Sequence, residues 1–394
     1  MNKFGDNYVI TTDNSQTTIF TSNYLPMKKL YFTAWCLLLN IGLLSAQPTP
    51  TPTNDTPEFI DHFYTNVRNY IRIPDIPGYI TLKCDLHIHT AYSDGAVWPS
   101  VRVDEAWSEG LDAIAITEHI ENRPNVRNGL LKGDHNQSYQ IAKKQGDRMG
   151  ILVIPGAEIS RYKPFGHFNV FFLKDANALD VADSLKAIDA AIEQGAFIMW
   201  NHPGWPDYKV TMYDIHKKLI EENKIHGIEL INGPEYHPKA ITWCRDYNLT
   251  YLCGTDAHGL IVTKYGSSRM PRQMTLVFAK ERSVEGIKEA MFARRTVVVF
   301  HDLLIGPAQY LSELVKASLS STLVSRNEQK KISTLDIFNN SDISFKTIIN
   351  NLPVILHAGC ITRINLPDNQ QELELTNCLI TENETLKMPI PFGN

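Results

Sequence analysis

Two histidines one residue apart, His87 and His89, close an apolar run in "CDLHIHTAYSDG", residues 84–95. Side chains alternate along a strand, so residues i and i+2 face the same way. Both imidazoles can therefore share one metal ion. The same spacing recurs in "CGTDAHG", which offers Asp256 and His258. Further acids and histidines follow other short apolar runs. Asp94 sits in a Ser-Asp-Gly turn, "AITEHI" gives Glu118 and His119, and "IPGAEIS" gives Glu158. "FGHFNVFFL" opens on His167, "MWNHPGW" gives His202, and "GIELING" gives Glu229 and Asn232. Imidazole mixed with carboxylate, without thiolate, suits Zn, Mn or Fe in a catalytic site. A buried group of carboxylates is costly without a cation. Nine candidate ligands exceed what one ion can use, which implies two or three divalent ions. Clustered ions share a hydroxide, lower its pKa and clamp an oxyanion. That is machinery for hydrolysis, with phosphate esters the best match.

These residues need a scaffold that brings strand ends together. From about 80 to 280 the sequence alternates short apolar runs with longer amphipathic segments. Strands are predicted over 81–86, 111–117, 151–157, 168–173, 196–200, 227–231, 249–254 and 274–279. Helices are predicted over 101–109, 135–148, 178–194, 212–223, 238–247 and 283–292. Repeated β-α units with continuously apolar strands indicate a parallel sheet covered on both faces. Seven or eight such strands favour a barrel, whose strand ends converge on one face where active sites are built. After about 305 short alternating stretches are separated by Asn, Asp and Pro turns. They read as a small antiparallel β-sandwich over 306–394.

The chain has 394 residues and a formal charge of −5, so it is not built to coat nucleic acid, and no basic track is evident. From Met27, "MKKLYFTAWCLLLNIGLLSAQ" has two lysines, an apolar stretch and a small-residue Ser45-Ala46 exit. This is a signal-peptide layout over 27–46, and the apolar run is short for a bilayer span. An exported protein, periplasmic or extracellular, is expected, with no transmembrane span after signal removal. The competing reading is an uncleaved anchor. Residues 1–26 read as an upstream extension from a start codon called too early, and 47–57 as a Pro/Thr linker. Beyond Cys36 in the signal, five cysteines remain without regular spacing. Free thiols are expected, with Cys360–Cys378 the one pairing an oxidising compartment would favour.

The segments "DLHIHTAYSDG", "TEHI", "GAEIS", "GHFNV", "NHPG" and "GTDAH", in that order, resemble the motifs of the PHP (polymerase and histidinol phosphatase) superfamily of metal-dependent phosphoesterases. The resemblance covers roughly 80–305. It implies an α/β fold with a distorted (β/α)7 TIM-like barrel over 58–305, and a di- or trinuclear site. It also implies the ligand roles. His87 and His89 resemble the first metal pair, closed by Asp256, with Glu158 bridging. Asp94, His119 and His258 resemble second-metal ligands. His167 and His202 resemble ligands of a third ion, or of the second in two-metal variants. "TEH" departs from the usual Asp-His, so Glu118 stands where a shorter acid is common. The β domain is similar to appendages on secreted members.

Around this set, Arg161 could hold phosphate through its guanidinium fork, or be an ordinary loop arginine. His202, His237 or a metal-bound water could protonate the leaving alkoxide. Trp205, Arg123 and His237 are candidates to line the pocket. Asp85 is expected to orient a histidine, while Glu229 and Asn232 are open between structural and substrate roles. His62, His216, His226, His301 and His357 follow no strand-end pattern and read as structural or exposed. Few Arg or Lys flank the motifs, which leans the substrate towards phosphodiesters or small organic phosphates. Two other readings stay open: a metal-dependent amide or lactone hydrolase, and an inert barrel whose β domain binds glycans or surfaces. The oligomeric state is unknown.

Overall fold

The computed structural model of the protein describes residues 8–13, 16–21, 68–265 and 272–390. Residues 27–46 and 47–57, expected to be signal and linker, and His62, lie outside the described residues.

Seven strands carry the site: β1 (Ile80–Asp85), β2 (Ala113–Ile116), β3 (Leu152–Ser160), β4 (His167–Phe171), β5 (Phe197–Trp200), β6 (Gly227–Asn232) and β7 (Thr250–Gly254). They pair in the order β1-β2-β3-β4-β5-β6-β7, and β8 (Met274–Ala279) adds to the outer side of β1. Every residue of β2, β5, β6, β7 and β8 is buried, the pattern of strands covered on both faces. All eight predicted strands form, each within three residues of its predicted bounds. The helices between them cover the sheet. Pro99–Glu109 shows why they start and stop where they do: proline occupies the first turn, and Gly110 ends it at φ 88°, a left-handed position that suits glycine.

The expected run of parallel strands is broken at β4. It lies antiparallel to both β3 and β5, pairing Ser160 with His167 and Phe168 with Trp200. Only residues 161–166 separate β3 from β4, too few for the crossover that parallel pairing demands. The reversal puts His167, the first residue of β4, level with the end of β3. Closure between β7 and β1 is not a regular ladder. It runs through the Ile88–Ala257 bridge just beyond the two strands, and β7 is tied to β8 by the Cys253 N–H donating to Thr275 Oγ1 at 3.0 Å. The result is a distorted (β/α)7 barrel.

The C-terminal part begins with a helix that the sequence reading missed, Ala308–Ser318, which buries Leu311, Leu314 and Val315. Two antiparallel layers follow. Leu319–Asn327, Ile332–Asn339 and Ile361–Pro367 form one. Phe345–Ile349, Leu352–Leu356, Glu372–Thr381 and Glu384–Pro389 form the other. A short hairpin, Tyr8–Asp13 with Gln16–Thr21, pairs with Ile361–Arg363 at the edge of the first layer. Leu304–Ile305 pairs in parallel with Cys378–Leu379, so one sheet runs from the barrel into the β-sandwich. The apolar core is also shared: Met274 and Leu276 of the barrel belong to the same cluster as Leu335, Phe345 and Leu375. Cys84, Cys244, Cys253, Cys360 and Cys378 are all free thiols.

Candidate metal centre

The ends of β1, β2, β3, β5 and β7, with the start of β4, converge on one point. Glu158, fully buried, is at its middle. Its Oε2 lies 2.7 Å from His119 Nδ1, 3.5 Å from His89 Nε2 and 3.8 Å from His87 Nε2. Its Oε1 lies 2.9 Å from His167 Nδ1 and 3.5 Å from His202 Nε2. Asp256 Oδ1 is 3.0 Å from His89 Nε2 and 3.4 Å from His87 Nε2. Asp94 Oδ1 is 3.1 Å from His258 Nε2 and 3.5 Å from His119 Nε2.

Three sets of donor atoms lie within 4.8 Å of one another: His89, Asp94, His119 and His258; His87, His89 and Asp256; and His87, Glu158 and His202. Eight of the nine expected ligands fall in these sets. His167 does not, and instead faces Glu158 from the side. The donor chemistry fits cations. His87 Nε2, His89 Nε2, Asp94 Oδ1, Glu158 Oε2 and Asp256 Oδ1 are buried and lack a properly aligned hydrogen-bond partner. Buried polar atoms are ordinarily satisfied, so five such atoms aimed at one space mark a place for positive charge. The electrostatics agree. Burial opposes ionisation of Glu158 and Asp256, but His119 and His167 around the first, and His87 and His89 around the second, hold both carboxyls well below their usual range. Burial likewise opposes a charge on His119, yet Glu158 and Asp94 raise it to about 9. Burial and the neighbouring His119 push His89 down to about 3, leaving a neutral ring ready to donate a lone pair.

A surrounding layer fixes these rings. Glu229 Oε1 faces His87 Nδ1 at 2.9 Å, which turns Nε2 inward, and its Oε2 accepts from the His202 N–H and Asn232 Nδ2, both at 3.0 Å. The open question on Glu229 thus resolves to orientation. Asn201 Nδ2 donates to Glu158 Oε1 at 2.9 Å. Asp85 does not reach a histidine ring, contrary to expectation. It accepts from Thr255 N at 3.0 Å, Thr255 Oγ1 at 2.7 Å and Arg272 Nη1 at 2.8 Å, and so holds the turn that presents Asp256. Glu118 is no ligand either: it accepts from the hydroxyls of Thr90 and Ser93 and anchors the loop after β1. Arg102, fully buried, joins the two ligand loops by donating to the carbonyls of His89, Ala257 and Gly259 at 3.0, 2.8 and 2.8 Å. Asn201 adjoins His202 in "NHPG" and could have been suspected; nothing local marks Arg102 or Arg272. Asp256 takes φ 49° and His202 φ 21°, sparsely populated values that cluster at functional sites. The glycine before this turn is obligatory, because a Cβ on Gly254 would lie 2.2 Å from His87 Cβ.

A cavity of about 540 Å³ opens beside the cluster, with His202, Arg161, Trp205 and Tyr162 in its wall. Arg161 is tied to the wall through all three of its nitrogens. It pairs with Glu121, donates to Val181 O at 2.7 Å and to Ser184 Oγ at 3.3 Å. His237 and Arg123 do not line it. Burial and the nearby His202 lower His237 to about 4, and Arg123 is spent on the carbonyls of Tyr92 and Gly133.

The layer around the ligands gives one prediction. Glu229→Gln is expected to weaken metal affinity by about 10–100-fold, the usual effect of losing an acid behind a ligating histidine. Competition against a chelator measures it, with circular dichroism to verify folding. An affinity within twofold of wild type would show that Glu229 does not support His87.

A family profile described as the PHP domain matches residues 85–266. Among solved structures, a two-domain protein from Bacteroides vulgatus, containing a predicted PHP-like metal-dependent phosphoesterase, is 40% identical with a TM-score of 0.77. The match covers 82% of this chain and 98% of that one. A protein from Bifidobacterium adolescentis, provisionally described as a metal-dependent phosphoesterase, is 17% identical with a TM-score of 0.35, over 45% of this chain and 87% of its own. No curated protein matches.

Proposed function

This chain belongs to the PHP domain family, and from that premise we propose that it is an exported phosphoesterase acting on phosphodiesters or small organic phosphates. Metal-dependent hydrolase chemistry comes with the family. The observation that supports phosphoester cleavage here is the chain of three donor groups, the first linked to the second through His89 and the second to the third, which holds Glu158, through His87. Divalent ions held by these residues would supply water deprotonated at neutral pH and positive charge for phosphoryl oxygens.

The chain's own residues do the rest. Glu229 and Asn201 fix His87 and Glu158, so that donor atoms are aimed before substrate arrives. His202 lines the cavity, and although burial works against its charge, Glu158 and Glu229 raise its pKa. Where it is not itself holding an ion with His87 and Glu158, it can hand a proton to the departing oxygen, whereas His237 lies off the cavity. Arg161 is neutralised by Glu121 and acts by holding the cavity wall. Among the described lining residues Arg161 is the one arginine or lysine, and its pairing with Glu121 draws it away from the second charge of a monoester. That favours diesters.

Export rests on the segment 27–46. No helix among the described residues is long and apolar enough to cross a membrane.

The test uses the chain from Gln47 reconstituted with Mn or Zn, on bis(p-nitrophenyl) phosphate and p-nitrophenyl phosphate. Faster diester cleavage, abolished by chelation and restored by metal, is expected. A protein with verified bound metal that cleaves neither ester would overturn the reading.

A further inference from the structure

Resting on the phosphoester reading, we infer that the cavity takes a phosphodiester bearing a planar ring at or near phosphorus, with Trp205 as its platform and Tyr162 as its outer wall.

Trp205 and Tyr162 both line the cavity, and 39% and 85% of their surfaces are exposed. Scattered exposed aromatics are common, but Trp205 is packed in place and Tyr162 sits on a loop tied to it. The Trp205 ring centroid lies 4.5 Å from that of His167 and 6.1 Å from that of His202. One side of the indole is thus held against the histidines of the cluster while much of the rest stays open. The loops that carry the two aromatics are tied together: Lys163 Nζ donates to Asp207 and, at 2.9 Å, to Lys209 O. Tyr162 precedes that lysine and Trp205 lies just before Asp207.

Position limits the ligand. His202 belongs to a donor set with Glu158 and His87. The His202 ring centroid is 6.1 Å from that of Trp205, so a ring on a phosphoryl group drawn to that set reaches the indole when attached at or within a few bonds of phosphorus. Charge limits it too. The described residues around the aromatics include the acids Glu121, Asp94 and Asp256, and Arg161 is consumed by Glu121. An uncharged flat ring suits this wall, because every such ring has a π-face to stack.

The test is calorimetric binding of two charge-matched analogues, ethyl phenylphosphonate and ethyl methylphosphonate, to the metal-loaded chain from Gln47. Both are monoanions and differ only in the ring. Wild type is expected to prefer the phenyl analogue by about tenfold, the scale of one ring stacked on an aromatic side chain. Trp205→Leu keeps apolar bulk against His167 but removes the π-face, and should collapse that ratio towards one. Tyr162→Ala, an independent change at the exposed rim, should lower it part-way. Equal binding of both analogues to wild type, or an unchanged ratio in both variants, overturns the inference and leaves the phosphoester reading intact. Failure of both analogues to bind a protein with verified metal would remove the two together.

Discussion

His89→Ala is expected to lose metal from two of the three donor sets at once and to lower kcat/KM by at least roughly 10³-fold, about 4 kcal/mol of barrier. His89 is the residue common to the set with Asp94, His119 and His258 and the set with His87 and Asp256. Its Nε2 is buried, unpartnered and 3.0 Å from Asp256 Oδ1. Removing the ring leaves Asp256, Glu158 and Asp94 facing each other with fewer donors to share a cation. The damage should therefore exceed that of His258→Ala, which touches one set. Metal content per chain by elemental analysis, together with turnover of the diester, checks the ordering. Near-wild-type activity and metal content in His89→Ala would remove the cluster from the chemistry. Equal losses in the two variants would show that the donor sets are not independent.

Arg272→Met is expected to cost about 3–5 kcal/mol of stability, because it strands a buried carboxylate. Both side chains of the Arg272–Asp85 pair are fully buried at 2.8 Å, and Arg272 also reaches Glu109 at 2.8 Å. Urea unfolding of the metal-free protein reads the loss. The double variant Asp85→Leu/Arg272→Met should recover much of that stability, since an apolar replacement of a buried ion pair is often nearly neutral. It should not recover metal affinity, because Asp85 also holds Thr255, the residue before Asp256. A double variant that regains both would assign Asp85 to stability alone. A single variant as stable as wild type would mean the pair contributes nothing.

The two predictions draw on different kinds of information. His89 was legible in the sequence. Its spacing from His87 places both rings on one side of a strand, and that follows from backbone geometry without any tertiary contact. The same holds for Asp256 and His258, and for the placement of acids at the ends of apolar runs. The eight strands were equally legible, because strands covered on both faces are largely apolar. The reversal of β4 was in principle readable, since the six residues of 161–166 cannot make a crossover.

Other assignments had no local signal. Asp85 is next to the histidine motif in sequence, yet it serves Asp256 across the barrel. Arg102 and Arg272 are unremarkable in their own segments, and only folding brings them to the carbonyls and carboxylate that need them. Arg161 is open between phosphate holder and loop arginine in the sequence, and only the fold puts Glu121 beside it. His237 is a candidate by its segment, but the cavity passes it by. The sequence by itself determined which residues can bind metal, because ligand type and strand period are local properties. The tertiary structure alone decided which donors share an ion and which charges are already neutralised, because those depend on distances between chain segments far apart in sequence.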